Sequence, residues 1–159
     1  MLTPHDLLTQ AVTHLATEAD WFFDPAFSAM ARNRDTGDLF SRKAALTGDI
    51  ARDSRLQVTG YMALWWAQEE LGADDGTYWR AIEFLDQVAK ELYGCYDVPC
   101  FEYRRDGQPV SRVEYKRLAP HVQGISTVII DGLDWVEERY GYAGLMACYQ
   151  GAMGLAKRT

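Results

Sequence analysis

The side chains best suited to chemistry are few and scattered along the chain. His5, His14 and His121 are the only histidines, and neither Gly-x-Ser-x-Gly nor His-Glu-x-x-His occurs. His5 opens a helical turn, His14 lies on a helix face away from Leu8 and Leu15, and His121 follows Pro120. Each reads as a surface or partly buried structural histidine rather than a general base. Cys95, Cys100 and Cys148 are an odd number, which excludes a closed disulfide framework and points to a reducing cytoplasm. The spacing from Cys95 to Cys100 is looser than that of a zinc knuckle, and a tetrahedral site would need His121 and Cys148 as well. The cysteines therefore read as small buried hydrophobes, with no metal and no cofactor expected.

Acid pairs are the remaining route to catalysis. Glu83 and Asp86 are three residues apart, which places both carboxylates on one helical face, and Glu69-Glu70 lies upstream on the preceding helix. The arrangement resembles the all-α nucleoside-triphosphate pyrophosphohydrolases, in which two helices each bring a pair of acids to magnesium. It departs from that pattern on the first helix. Trp66 stands where a second acid is wanted, and the adjacent Glu69 and Glu70 point about 100° apart. The resemblance covers fewer than twenty residues. Gly37, Gly48, Gly60, Gly72 and Gly76 form neither a P-loop nor a dinucleotide-binding turn.

Charge limits the range of partners. Sixteen Lys and Arg against 23 Asp and Glu leave a net −7. Residues 69–97 hold eight acids against Arg80 and Lys90, whereas 98–117 carry five basic and three acidic groups. Phe101, Tyr103 and Tyr115 interleave with those basic residues, as in a single-strand nucleic-acid platform. Glu102, Asp106 and Glu114 interrupt the series, and an acidic chain repels phosphate, so direct nucleic-acid binding is not expected. No run approaches the roughly 18 apolar residues of a membrane span, and the N-terminus lacks a secretory-signal layout.

The elements that must position these residues are mostly helical. Thr3-Pro4 with Asp6 starts a helix that the spacing carries through Leu8, Val12 and Leu15 to about residue 19. Short helices are expected over 24–30 and 39–46, separated by a turn at 33–37. A long helix over 49–71 follows the Ser54, Val58, Tyr61 and Trp65 stripe and ends at Gly72. A second long helix over 77–93, ending at Gly94, returns antiparallel to it with Tyr78, Ile82, Leu85, Ala89 and Leu92 inward. The 98–115 segment reads as a β-hairpin turning at Asp106-Gly107, with Pro109 confined to an edge. Helical periodicity runs over 121–140, although the β-branched 126–130 also suits a buried strand. Gly141 separates it from a last helix over 143–156, whose Gly144, Ala147, Gly151 and Gly154 suit close approach to a neighbour.

The expected fold is thus mainly α: a single domain over 1–159, a bundle of about six helices with a small β-hairpin near 98–115. The expected function is a non-catalytic, acidic, cytoplasmic protein-interaction module that binds a basic partner. Inhibitors, adaptors and immunity proteins are of this kind, phage anti-defence and anti-CRISPR inhibitors among them. The metal-dependent hydrolase and a structural subunit of a larger assembly are the alternatives. Glu69, Glu70, Asp74 and Asp75 cluster around one short connection, with Trp66 and Trp79 as candidate aromatic anchors. Trp65 is assigned to the core, Trp66 to its flank.

Overall fold

Thr3 caps the first helix, α1 (Pro4–Thr13), through a reciprocal box: its hydroxyl accepts the Asp6 N–H and its own N–H donates to the Asp6 carboxylate. The helix stops six residues before the sequence spacing predicts. Thr13 turns its hydroxyl onto the Gln10 carbonyl, and Thr17 bonds the Asp20 carboxylate through both N–H and hydroxyl. These local bonds compete with helix continuation and close a single 3-10 turn over Glu18–Asp20 instead.

The computed structural model describes residues 1–24, 30–41, 55–95, 101–106, 108–111, 114, 125–129 and 132–159. Strands β1 (Met30–Asn33), β2 (Leu39–Ser41) and β3 (Leu56–Val58) form an antiparallel sheet in the order β2-β1-β3. The predicted turn at 33–37 links β1 to β2, with Gly37 at φ 76 and the Asn33 side chain accepting the Asp35 and Thr36 N–H groups. Strand structure at Met30, at 39–41 and at 56–58 replaces the helices expected there. The remainder of those predicted helices, and Gly48 and Asp49, lie outside the described residues.

The helix predicted over 49–71 begins only at residue 60: Thr59 caps α2 (Gly60–Leu71), and Gly72 ends it in the left-handed conformation at φ 66. Asp74 caps α3 (Asp75–Tyr93), which ends at Gly94, φ 70. Strand β4 (Phe101–Arg105) pairs with β5 (Gln108–Val110) as the predicted hairpin, with Arg104 opposite Pro109. The order β5-β4-β6 leaves Pro109 on an edge strand, where its missing N–H interrupts no interior ladder. Asp106 takes φ 50 in the turn.

The third member of this sheet corrects the sequence reading. Ile125–Ile129 is a strand, β6, paired with β4 along its full length from Phe101↔Ile129 to Arg105↔Ile125. The helical periodicity read over 121–140 holds from Gly132 onward, but at Ile125–Ile129 ladder pairing with β4 overrides it. The last helix, α4, is Gly132–Arg158, interrupted at Gly141 (φ 65, ψ −156) where the sequence places a separation. There are therefore four α-helices among the described residues, rather than about six, and the chain is mainly helical with two small sheets.

Helix α3 packs most extensively along α4, and α1 lies against α2, α3 and α4, whereas α2 and α3 touch only sparsely. Consecutive helices here are not the tight antiparallel pair that their short connection suggests. On α3 the buried face is Tyr78, Ala81, Phe84, Leu85, Val88 and Ala89, while Leu92 turns outward. Close approach to α4 occurs at Gly151, where a Cβ would sit 2.7 Å from Val88 Cγ1. Among the described residues no helix is long and apolar enough to cross a membrane.

Candidate functional site

The α2–α3 corner gathers the acids singled out by the sequence, but most of them are occupied in holding the corner together. Asp74 accepts the Thr77 N–H at 2.7 Å as the α3 cap, worth about 1 kcal/mol. Asp75 accepts from Gln68 Nε2 at 3.1 Å, and the same amide reaches the Ala73 carbonyl, pinning the connection to α2. Glu70 faces α1: His14 Nε2 lies 2.8 Å from Oε1, and Gln10 Nε2 donates to Oε2. His14 also packs its ring 5.3 Å from Trp66. The histidine is thus a structural link between α1 and α2, on a face the periodicity had turned away from the core.

The two tryptophans exchange their expected places. Trp66 is 4% exposed and belongs to the core, whereas Trp65 is half-buried at its margin. Helix α1 covers the Trp66 side of α2, a packing partner that no local spacing announces. Trp66 is therefore not a surface anchor. Trp79 is 62% exposed, its ring held edge-on to Tyr78 at 5.5 Å, and Glu69 is exposed nearby in sequence. Asp75 and Glu83 lie four residues to either side of Trp79, so the three share the outer face of α3.

Glu83 is ion-paired with Arg80 at 2.6 Å, and Arg80 also lies over the Phe84 ring. Asp86 is half-buried. Among the described residues no three His, Cys, Asp or Glu side chains come together as a metal-holding group. Cys95 and Cys148 are buried, and burial pushes the Cys148 thiol up to about 12. Cys95 Sγ accepts the Gly132 N–H at 3.1 Å, a structural role. Cys100 and His121 lie outside the described residues.

Sequence reasoning missed the most unusual ionisable group, Glu137. It is 2% exposed, and its Oε1 accepts both the Trp21 indole N–H and the Gly60 N–H at 2.8 Å. Gly60 is the first residue of α2, and its carbonyl accepts the Tyr149 hydroxyl at 2.7 Å. Burial raises the Glu137 carboxyl to about 8, partly offset by the two N–H donors. The signal was present in the sequence: Glu137 stands four residues after Leu133, on the stripe that Tyr140 and Leu145 continue. A lone acid on an apolar stripe marks a buried carboxyl that must find donors.

Comparison of the chain with models of known families, with curated proteins and with solved structures gave no match in any of the three.

Proposed function

We propose that the chain is a non-catalytic protein-interaction module of the inhibitor, adaptor or immunity kind, anti-defence inhibitors included, which binds a basic partner through the outer face of α3. The observation that carries this reading is Trp79, a large ring left 62% exposed between Asp75 and Glu83 on the same face. An aromatic side chain beside acids suits a lysine- or arginine-bearing surface, by cation–π contact at the ring and charge at its rim. The net charge of −7 adds long-range attraction for such a partner.

The test is parallel capture from the native host at low salt with a tagged wild-type chain and Trp79→Ala, followed by titration of the purified partner. Trp79→Ala should fold with an almost unchanged thermal midpoint and bind at least about tenfold more weakly. Glu69→Lys should slow association and flatten its salt dependence. Asp74, Asp75 and Glu70 are unsuitable for charge reversal, because each also holds the fold. Undiminished binding by Trp79→Ala would remove α3 as the contact surface.

A further inference from the structure

Residues 15–22 form a strap that leaves the end of α1 and crosses to α4 before joining the first sheet. Tyr142 donates its hydroxyl to the Leu15 carbonyl at 2.6 Å, and Gln57 donates to the Ala19 carbonyl at 3.0 Å. Trp21 bridges to Val58, and the Phe22 N–H reaches the Val58 carbonyl. A further tie is the Trp21 indole on Glu137, which shares one carboxyl oxygen with the start of α2. A Cβ on Gly60 would lie 3.1 Å from that oxygen and 2.6 Å from Leu145 Cδ1, so the three elements meet with no spare room. Glu137 Oε2 is buried and has no hydrogen-bond partner among the described residues.

We propose that Glu137 is a proton-operated latch, whose neutral carboxyl clips the strap and the start of α2 onto α4 and whose ionisation lets the strap lift. One oxygen is saturated by two N–H donors, while the other is buried with no hydrogen-bond partner among the described residues, a setting that disfavours half of a negative charge more than a neutral hydroxyl. Hydrating the anion requires an opening, and the half-buried Trp21 is the member of the knot nearest solvent. Close to Glu137 on α4 stand Tyr149 and Cys148, both kept neutral at ordinary pH by their own burial. Asp134 lies buried one turn earlier on the same helix, and Tyr78 on α3 adds to the upward push on Tyr149. From α2, Tyr61 is engaged through its hydroxyl with the Leu133 N–H. Asp20 of the strap is paired with Arg34, in the turn just after β1, at 3.0 Å, Glu18 stands beside it, and Arg32 lies over Phe22. At the α1 end, His14 faces Glu70.

The direction follows from linkage. The carboxyl is at about 8 when the latch is closed and near its ordinary 4.5 when open, so closure is favoured most below the lower value. Between about pH 5 and pH 8 the opening constant should rise by about tenfold per unit, then level off. The experiment is amide hydrogen exchange of the intact chain from pH 5 to pH 9, corrected for intrinsic rates, on wild type and Glu137→Gln. Protection across 15–22 should fall steeply with pH in wild type and stay flat in the variant, while α3 amides behave alike in both. Glu137→Gln leaves His14 in place, so a pH response that survives in the variant overturns the latch, as does a flat wild type. Should the variant fail to fold, carboxyl NMR of wild type decides. Titration of Glu137 near 8, moving together with the Trp21 indole N–H resonance, supports the latch, and titration near 4.5 overturns it.

Discussion

Gly151→Ala isolates the close approach of α4 to α3. The added Cβ would sit 2.7 Å from Val88 Cγ1 and 3.2 Å from Cγ2, so the first pair must part by about 0.8 Å to reach an ordinary carbon–carbon contact of ~3.5 Å. Val88 is 4% exposed and branched at Cβ, with little freedom to rotate away. Overpacking of this kind costs about 1–3 kcal/mol, while replacing Gly by Ala inside a helix returns about 1 kcal/mol. The single substitution should therefore destabilise by about 0–2 kcal/mol. In a Val88→Ala background the obstruction is gone and only the helix-propensity gain remains, so the same change should stabilise by up to about 1 kcal/mol. Val88→Ala alone should cost about 2 kcal/mol through lost burial. Urea denaturation of the four proteins closes the cycle and measures the coupling directly. An effect of Gly151→Ala that is equal in both backgrounds, within about 0.5 kcal/mol, would refute close α3–α4 packing at this point.

Trp66→Ala should cost about 3–5 kcal/mol and Trp65→Ala distinctly less, as read by thermal unfolding; the reverse order would contradict the burial of Trp66. Glu70→Ala should cost about 1–3 kcal/mol by removing the acceptor of Gln10 and the partner of His14, while its neighbour Glu69→Ala stays within about 0.5 kcal/mol on the same denaturation curves. Asp6 is held below the ordinary carboxylate range by the Thr3 hydroxyl and N–H. In Asp20 partial burial pushes upward, but hydrogen bonds from Arg34 and Thr17 outweigh it. Both therefore favour the folded state above about pH 4 and lose that contribution as pH falls, whereas Glu137 loses its contribution as pH rises toward 8. Thermal midpoints from pH 3 to pH 9 should peak near pH 4–5 in wild type, and Glu137→Gln should hold its midpoint through pH 8.

Elements whose signals are local were legible in the sequence. Gly72, Gly94 and Gly141 punctuate the helices where their φ values are positive, and the 101–110 hairpin turns at Asp106 with Pro109 on the edge. What escaped depends on partners distant in the chain. Val58 fits a helical stripe with Ser54 and Tyr61, yet its backbone pairs with Ala31, and Ile125–Ile129 becomes a strand because β4 lies beside it. Of the candidate site, Trp79 and Glu69 emerge on the surface. Trp66 is covered by α1, while Glu70, Asp74 and Asp75 serve caps and interhelical bonds that charge counting cannot distinguish from a solvated rim.

The ties of the strap to α4 span most of the chain: Trp21 to Glu137 and Leu15 to Tyr142. During synthesis, Trp21 emerges more than a hundred residues before its acceptor exists. At about 5–20 residues per second, roughly 6–25 s pass before α4 can reach it. Through that interval α2 and α3 are the described helices that can cover Leu7 and Leu8 of α1, and the side of the core to which Leu145 and Tyr149 belong lacks those side chains. Helix α4 therefore closes this side of the core only after α1, α2 and α3 have emerged, and a ribosome stalled before residue 132 would display those helices without that cover.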